Sequence, residues 1–240
     1  MRFLILSDIH ANRHALEAVV ADAGVRYDRI VCLGDIVGYG AEPNATSDWV
    51  RTNVPVVVRG NHDRACTGDA VIEEFSDNAY QAAQWTLPLL TEENCRWLTG
   101  LPRGPVPVED FFLCHGSPAD EDEYVTSTYE AAFQYRYLPA EVCFFGHTHL
   151  QGTFAMRPGK AWYLDPSSVL AVEPDTAYLI NPGSVGQPRD HDPRAAYAVY
   201  DSDARIAEFR RVKYDIAGAQ KAIREAGLPE YLASRLAQGR

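Results

Sequence analysis

The sequence predicts a layered α/β fold in which two β-sheets pack together and helices cover them from outside. In the first half of the 240-residue chain, short and continuously apolar runs alternate with helical patterns, which is typical of strands whose sheet is covered on both faces. After residue 150 the runs alternate between apolar and polar residues and are separated by turn signals, which indicates an antiparallel or mixed second sheet. We therefore expect one domain over residues 1–240.

Strands and helices alternate in the first half. The first strand, Phe3–Leu6, is followed by a helix pattern from His14 to Ala23. Helices are also predicted over 71–98 and, after an acidic start, within 117–137, as parts of insertions at about 66–105 and 117–137. The remaining segments of this half are the apolar strands Ile30–Leu33, Val54–Val58, Phe111–Cys114 and Val142–Phe145, and a proline-rich loop at Pro102–Pro107.

Five shorter strands are predicted beyond residue 150, with turns such as Asn181-Pro182-Gly183 between them. The strands are Thr153–Met156, Ala161–Leu164, Ala177–Ile180, Ala196–Tyr200 and Ile206–Arg211. The chain ends in a helical tail at 214–240, in which Gly227-Leu228-Pro229 separates two helices.

The composition excludes several classes of protein. A formal net charge of −11 repels nucleic-acid backbones and anionic membranes, so neither is expected as an extended partner. The chain has no apolar run of about eighteen residues, and its short apolar start meets Asp8 at once, unlike a signal peptide. None of the five cysteines forms a C-x-x-C pair, which favours a reducing compartment and a cytoplasmic protein.

Polar motifs follow five of the predicted strands, at the point where each strand ends. The motifs are Asp8-Ile9-His10, Gly34-Asp35, Gly60-Asn61-His62-Asp63, His115-Gly116 and Gly146-His147-Thr148-His149. Because ligands of open α/β sheets bind outside the carboxyl ends of strands, motifs that are far apart in sequence can meet in one site. Five of the seven histidines lie in these motifs, which indicates a shared site.

Each motif taken alone also has a structural explanation. Asp8 can cap a turn, Gly34-Asp35 is a common turn signal, and Asn61 tolerates the backbone angles of turns. Two imidazoles two residues apart, as at 147 and 149, are the most specific part of the series. The occurrence of all five motifs in order, each after a strand, favours a metal site over five unrelated turns.

The whole motif series resembles that of the calcineurin-like metallophosphoesterases. A later segment, Asn181-Pro182-Gly183-Ser184-Val185 with Pro188-Arg189, is similar to the small prokaryotic phosphodiesterase branch of that family, so that the resemblance covers about 8–190. It implies a four-layer α-β-β-α sandwich of two mixed sheets flanked by helices. The chain has Gly38-Tyr39-Gly40 where the phosphoprotein phosphatase branch continues with Asp-Arg-Gly, which argues against that branch.

The resemblance implies a role for each matching residue. Asp8, His10 and His149 would hold one metal ion. Asn61, His115 and His147 would hold the other, and Asp35 would bridge both. His62 would be a histidine that binds no metal and lies beside the scissile phosphate, where a protonated imidazole could act as a general acid.

The chemistry of these residue types agrees with two metal ions. Ions about 3.5–4 Å apart can clamp the attacking and leaving oxygens of an in-line displacement, and a bridging water becomes a hydroxide near neutral pH. With Asp8 and Asp35 as the only anionic ligands, the site keeps a positive charge that attracts phosphate. Imidazole, carboxylate and amide ligands without thiolate suit Mn, Fe, Zn, Co or Ni.

Several other residues have two interpretations each. Asn12 can contact phosphate or cap the helix that begins near His14. Asp63 can orient His62 as a further catalytic residue, or pair with Arg64. Tyr39 can line the substrate pocket or pack as a loop aromatic. The acidic stretch 120–123 can be a solvated loop or the rim of the pocket, and His191 is expected in a surface turn.

The resulting prediction is a metal-dependent hydrolase of phosphoester bonds in small molecules. Nucleotide-type substrates, including cyclic nucleotides, are favoured for a phosphodiesterase or phosphatase of this kind. The alternatives are a serine/threonine protein phosphatase, a diadenosine tetraphosphatase-like enzyme, or a non-catalytic interaction scaffold on the same fold. All proposed ligands and His62 are present, which disfavours the scaffold.

Overall fold

The computed structural model describes residues 1–69, 75–166 and 169–240. The strands are β1 (Arg2–Leu6), β2 (Arg29–Cys32), β3 (Val56–Val57), β4 (Val106–Val108), β5 (Phe111–Leu113), β6 (Val142–Phe144), β7 (Gly152–Arg157), β8 (Lys160–Leu164), β9 (Val169–Ala171), β10 (Ala177–Asn181), β11 (Ala195–Asp201) and β12 (Ile206–Val212). The helices are α1 (Arg13–Ala23), α2 (Pro43–Asn53), α3 (Asn61–Ala65), α4 (Asp77–Thr86), α5 (Glu92–Thr99), α6 (Thr128–Gln134), α7 (Ile216–Glu225) and α8 (Glu230–Ser234). Short 3-10 helices occupy Leu87–Leu89, Tyr135–Tyr137 and Arg235–Gln238.

Two mixed six-stranded sheets, flanked by helices, form the molecule. The first sheet has the strand order β3-β2-β1-β11-β12-β9, and the second has the order β4-β5-β6-β10-β7-β8. The pairs β1–β2 and β2–β3 are parallel in the first sheet, and β5–β6 and β6–β10 are parallel in the second. The predicted α-β-β-α sandwich is therefore confirmed.

The two sheets pack face to face through an aromatic core. Phe3 of β1 meets Phe111 of β5 with ring centroids 5.0 Å apart, and Tyr200 of β11 contacts Phe111 and Phe144. Successive residues of a strand point to opposite faces, so Phe3 lies between the sheets while its neighbour Leu4 belongs to the cluster under the helices. This alternation explains why the strands are apolar throughout.

Helices cover the outer face of each sheet. Helix α1 buries Ala15, Leu16 and Val19 in the cluster that also holds Leu4 and Leu6 of the first sheet. On the second sheet, Ala131 of α6 packs with a cluster that includes Phe145 and Leu179. In the described part of the chain, no helix is long and apolar enough to cross a membrane.

The structure divides the strands between the sheets differently from the sequence prediction. Strands β11 and β12 lie beyond residue 150 but join the first sheet, where β11 pairs with β1, and the earlier strands β5 and β6 belong to the second. Hydrophobic periodicity identifies strands but not their partners, which explains the error.

Some element boundaries also differ from the predictions. The end of the predicted proline-rich loop overlaps β4, and α2 was not predicted. Of the helix predicted at 71–98, residues 71–74 lie outside the described part, and α4 and α5 are separated by a 3-10 turn at Pro88. Within 117–137 the helical part begins only at Thr128, where the Ser127 side chain caps it. The tail contains two helices, as predicted.

Candidate metal centre

The motif residues gather where the carboxyl ends of five strands meet. Parallel strands β1, β2 and β3 bring the first three motifs to one edge of the first sheet, and the parallel pair β5–β6 does the same in the second. Because the sheets are stacked, both sets face one another. All seven proposed ligand side chains are buried, with Asn61 at 9% exposure the most open of them.

One cluster consists of Asp8, His10, Asp35 and His149, each of which offers a ligand atom within 4.8 Å of the others. The Nε2 atoms of His10 and His149 lie 3.1 Å apart. Asp35 Oδ2 lies 3.6 Å from His10 Nε2, and Asp8 Oδ1 lies 3.4 Å from His149 Nε2. The set combines two carboxylates with two imidazoles.

A second cluster consists of Asp35, His115 and His147, with ligand atoms that also lie within 4.8 Å of one another. His115 Nε2 lies 3.1 Å from His147 Nδ1, 3.2 Å from Asn61 Oδ1 and 3.4 Å from Asp35 Oδ2. Asp35 therefore belongs to both clusters, which is the geometry expected of a bridging ligand.

In each histidine of the two clusters, the ring nitrogen that points away from the other ligands faces a backbone carbonyl. His10 Nδ1 lies 3.1 Å from Val37 O, His115 Nδ1 lies 2.7 Å from Leu33 O, and His149 Nδ1 lies 2.6 Å from Gln187 O. If these nitrogens donate to the carbonyls, the inward nitrogens of His10 and His149 present lone pairs to each other. Metal-binding histidines are held in this way, and a cation between the lone pairs satisfies both. The donor set thus fits divalent metal ions.

Charge in the clusters also favours a bound cation. Burial opposes protonation of His115, but the Asp35 carboxylate outweighs it and raises the pKa of His115 to about 10. Burial lowers the pKa of His147 to about 3, and the charge of His115 adds to this effect. The position beside Asp35 therefore attracts positive charge, whereas burial lowers the pKa of His10, His147 and His149 and keeps these imidazoles neutral.

Five proposed ligands have left-handed backbone angles that non-glycine residues rarely adopt. They are Asp8, His10, Asp35, His147 and His149, with φ between 48° and 65°. Each such residue costs of order 1–3 kcal/mol, and residues of this kind cluster at functional sites. The surrounding fold stabilises a conformation that the local sequence disfavours, which supports a functional role for the clusters.

Close backbone approach explains two glycines of the motifs. A Cβ on Gly60 would lie 2.0 Å from Asp35 Oδ1, and one on Gly34, whose φ is +94°, would lie 2.6 Å from Gly60 N. The loops that follow β2 and β3 therefore touch through their backbones, which brings Asp35 and Asn61 together.

Asp63 supports the loop that carries Asp35. Its Oδ2 accepts hydrogen bonds from the backbone N–H groups of Asp35 and Gly60, and its Oδ1 accepts them from Ile36 and Val37. Neither predicted role is seen, because both oxygens of Asp63 are used by backbone groups. Arg64 pairs with Asp122 instead. Asp63 thus positions Asp35 and is not placed to orient the His62 ring.

Loss of the Asp63 carboxylate should therefore weaken the support of the loop that carries Asp35. We expect Asp63→Ala to leave four buried N–H groups unpaired and to destabilise the fold by about 3 kcal/mol or more. Thermal unfolding with and without added metal measures this effect. If Asp63→Ala unfolds at the wild-type temperature and binds metal equally well, the supporting role is wrong.

His62 lies beside the clusters within a group of aromatic rings. Its ring centroid is 4.8 Å from that of His10, 4.3 Å from Tyr39 and 4.5 Å from Phe75, and its buried Nδ1 has no hydrogen-bond partner in the described structure. Burial lowers the pKa of His62 to about 4, against the opposing charge of Asp35. The imidazole is therefore neutral at pH 7 in this structure, and its role as a general acid stays a prediction.

The remaining candidate residues either stabilise the fold, line the pocket or lie at the surface. Asn12 caps α1, since its Oδ1 accepts from Ala15 N, and its Nδ2 donates to Gly186 O, so the structure supports the helix-cap interpretation. Tyr39 lines a pocket beside the clusters, so its contact with substrate stays a prediction. His191 is exposed, as expected of a surface turn.

The acidic stretch forms part of the pocket wall and not a free loop. Glu121 is 8% exposed and pairs with Arg59 at 2.8 Å and with Arg64 at 3.5 Å. The backbone carbonyl of Asp122 lies 3.1 Å from His147 Nε2, and the Tyr124 ring stacks on His147 with centroids 3.8 Å apart. This stretch therefore holds His147 in place.

The pocket beside the clusters has a volume of about 500 Å³ and contains two arginines, Arg189 and Arg235. Arg189 was noted in the sequence only as part of a family-like segment. Arg235 lies in the helical tail, where no motif marked it, and only the packing of that tail against Tyr39 brings it to the pocket.

Comparisons with known proteins agree with the fold and the motifs. A family model described as the calcineurin-like phosphoesterase superfamily domain matches residues 1–205. An uncharacterized protein of Methanocaldococcus jannaschii is 36% identical, and the match covers 98% of this chain and 97% of that protein.

Two solved structures are also similar. A metallophosphoesterase from Sphaerobacter thermophilus is 43% identical with a TM-score of 0.88, and the match covers 100% of this chain and 99% of that one. A hypothetical protein from Pyrococcus horikoshii shares the fold with a TM-score of 0.78 at 20% identity, over 100% of this chain and 98% of that one. With the motif geometry described above, these matches show that the chain belongs to the calcineurin-like phosphoesterase superfamily.

Proposed function

We propose that the protein is a hydrolase of phosphoester bonds that depends on two divalent metal ions. The observation that carries this proposal is the sharing of Asp35 by two clusters of buried ligands. Asp8, His10 and His149 would hold one ion, Asn61, His115 and His147 would hold the other, and Asp35 would hold both. When bound, such ions stabilise charge on phosphoryl oxygens and lower the pKa of water, so that a nucleophile forms near neutral pH.

The side chains around the clusters would bind and orient the phosphate. Asn61, His62 and His147 line the pocket beside the clusters, so a phosphate bound at the clusters would lie near these side chains. The neutral His62 ring can donate a hydrogen bond to a phosphoryl or leaving oxygen. Burial of the clusters excludes bulk water, which strengthens these electrostatic contacts.

A small nucleotide-type substrate suits this site better than a macromolecule. Ligand pockets for small molecules are about 300–1,000 Å³, and the 500 Å³ pocket falls in this range. It contains the half-exposed ring of Tyr124, on which a nucleobase can stack, and the net charge of −11 disfavours long nucleic acids. We further propose that the enzyme acts in the cytoplasm, with Mn, Fe, Zn, Co or Ni as its metals.

Metal analysis combined with a chromogenic assay tests the proposal. Protein prepared without chelators and reconstituted with Mn or Zn should contain about two metal ions per chain. It should hydrolyse bis-p-nitrophenyl phosphate or p-nitrophenyl phosphate, and chelation should abolish the activity. A content of about one metal ion per chain would contradict the role of Asp35 as a ligand shared by two ions.

The same assay separates the alternatives. A protein phosphatase would hydrolyse phosphoserine peptides faster than nucleotides such as 2′,3′-cyclic AMP or diadenosine tetraphosphate. An interaction scaffold would hydrolyse none of these compounds with any of the five metals, even when both ions are bound.

A further inference from the structure

Two guanidinium groups face the pocket beside the candidate metal centre. Arg189 Nη2 donates to Tyr39 Oη at 3.4 Å, and the Arg189 Cζ lies 5.8 Å from the centroid of the Tyr39 ring. Arg235 Cζ also lies 5.8 Å from that ring centroid and 5.1 Å from the centroid of Tyr231. Both arginines thus gather around one aromatic ring.

Neither guanidinium pairs with an Asp or Glu side chain within residues 1–69, 75–166 and 169–240. Arg189 donates to Gln187 Oε1 at 3.0 Å, and Arg235 donates to a main-chain oxygen of Arg240. Nearly all other arginines around the clusters are paired, as Arg59 and Arg64 are with Glu121 and Asp122. Two neighbouring cations without an Asp or Glu partner stand out in a chain with a net charge of −11.

Holding two such cations together costs free energy unless an anion joins them. Both groups are partly buried, so each has lost some hydration, and burial together with the charge of Arg189 lowers the pKa of Arg235. An anion between them would relieve both effects. Arginine is also suited to phosphate, because its planar group donates two parallel hydrogen bonds.

The position of Arg235 separates its role from the chemistry at the clusters. The Tyr39 ring that it contacts lies 4.3 Å from the ring of His62, so Arg235 is one aromatic ring removed from the reacting region. It belongs to the C-terminal tail, beyond residues 1–205 that the family model matches. The tail therefore adds to the pocket a charge that the shared domain does not provide.

We propose that Arg189 and Arg235 bind a second phosphate of the substrate, one that is not hydrolysed while the first lies at the clusters. The substrate class is then a nucleotide with two phosphate groups, either on separate hydroxyls or joined as an anhydride. This inference rests on the proposed function for the reacting phosphate, but the anion site itself does not depend on hydrolysis.

Substrate comparison tests the proposal. Wild type and Arg235→Ala are assayed with AMP, which has one phosphate, and with adenosine 3′,5′-bisphosphate and ADP, which have two. We expect the ratio of kcat/KM for either two-phosphate compound to that for AMP to fall at least about tenfold in Arg235→Ala, because a charge-assisted contact is lost. The two compounds also distinguish separate phosphates from an anhydride.

Two further variants control for charge and folding. Arg224→Ala removes an arginine of the same tail that pairs with Glu230 at the surface, and it should leave the ratio unchanged. Arg235→Lys keeps the charge but not the planar group, so it should lower the ratio less than Arg235→Ala. An equal change of kcat/KM for all three substrates in both Arg235 variants would overturn the proposal.

Calorimetry gives a readout that does not require turnover. Metal-loaded, desalted protein is titrated with inorganic phosphate and with methylenediphosphonate, which resists hydrolysis. Wild type should prefer methylenediphosphonate, and Arg235→Ala should reduce this preference at least about tenfold. A preference that depends on Arg235 without any hydrolysis would refute the proposed function alone. An unchanged preference in an active enzyme would refute the second-phosphate site alone.

Discussion

Asp35→Asn should reduce turnover by about 10³-fold or more and lower the affinity for both metal ions. Asp35 Oδ2 lies 3.6 Å from His10 Nε2 and 3.4 Å from His115 Nε2, so it is the carboxylate common to both clusters. The amide of asparagine is neutral and presents an oxygen to at most one side. Metal content after gel filtration and the rate with bis-p-nitrophenyl phosphate measure the two effects.

Two control variants show whether the shared position is what matters. Asp8→Asn removes a carboxylate from one cluster only, so it should weaken mainly one ion. Asp203→Asn removes the same charge from an exposed residue that pairs with the N-terminal amino group. It should change neither metal content nor turnover. If Asp35→Asn retained two ions and wild-type turnover, Asp35 would not be a bridging ligand.

His62→Ala should retain both metal ions and lose about 10²–10³-fold in rate. His62 belongs to neither ligand cluster, yet its ring lies 4.8 Å from that of His10 and lines the pocket. Because burial lowers the pKa of His62 to about 4, we expect a neutral hydrogen-bond donor at pH 7 rather than a general acid. The loss should then be similar for p-nitrophenolate and for alkyl or nucleoside leaving groups.

Leaving-group dependence decides between these roles. A general acid assists a poor leaving group far more than it assists p-nitrophenolate. A much larger loss of rate on nucleoside esters would therefore show that His62 is protonated when substrate is bound. Loss of one metal ion in His62→Ala would instead make His62 a ligand. His191→Ala, the same substitution at an exposed turn, should change neither metal content nor rate.

The sequence by itself determined the strands that carry the motifs. Continuous apolar runs ending in Asp8, Asp35, His115 and His147 reflect strands that are buried on both faces, a pattern that depends on local periodicity alone. The candidate ligands could be named from the sequence because each motif is contiguous, because the series resembles that of a known family, and because the residue types suit a metal site.

Only the tertiary structure decided which strands pair and which side chains support the site. The pairing of β11 with β1 depends on contacts nearly 200 residues apart in sequence, which no local pattern encodes. The four N–H groups that donate hydrogen bonds to Asp63 belong to two separate loops. The neutral state of His62 results from its burial among rings of other segments.

Arg235 shows the same limit at the pocket. In the sequence it is one arginine in a charged tail, where a solvated side chain is the ordinary expectation. It reaches Tyr39 because α7, α8 and the 3-10 helix Arg235–Gln238 bury Ile223, Leu232 and Leu236 in a cluster that also includes Tyr39. The hydrophobic effect that docks the tail therefore sets the position of the charge, and burial of this kind depends on the whole fold.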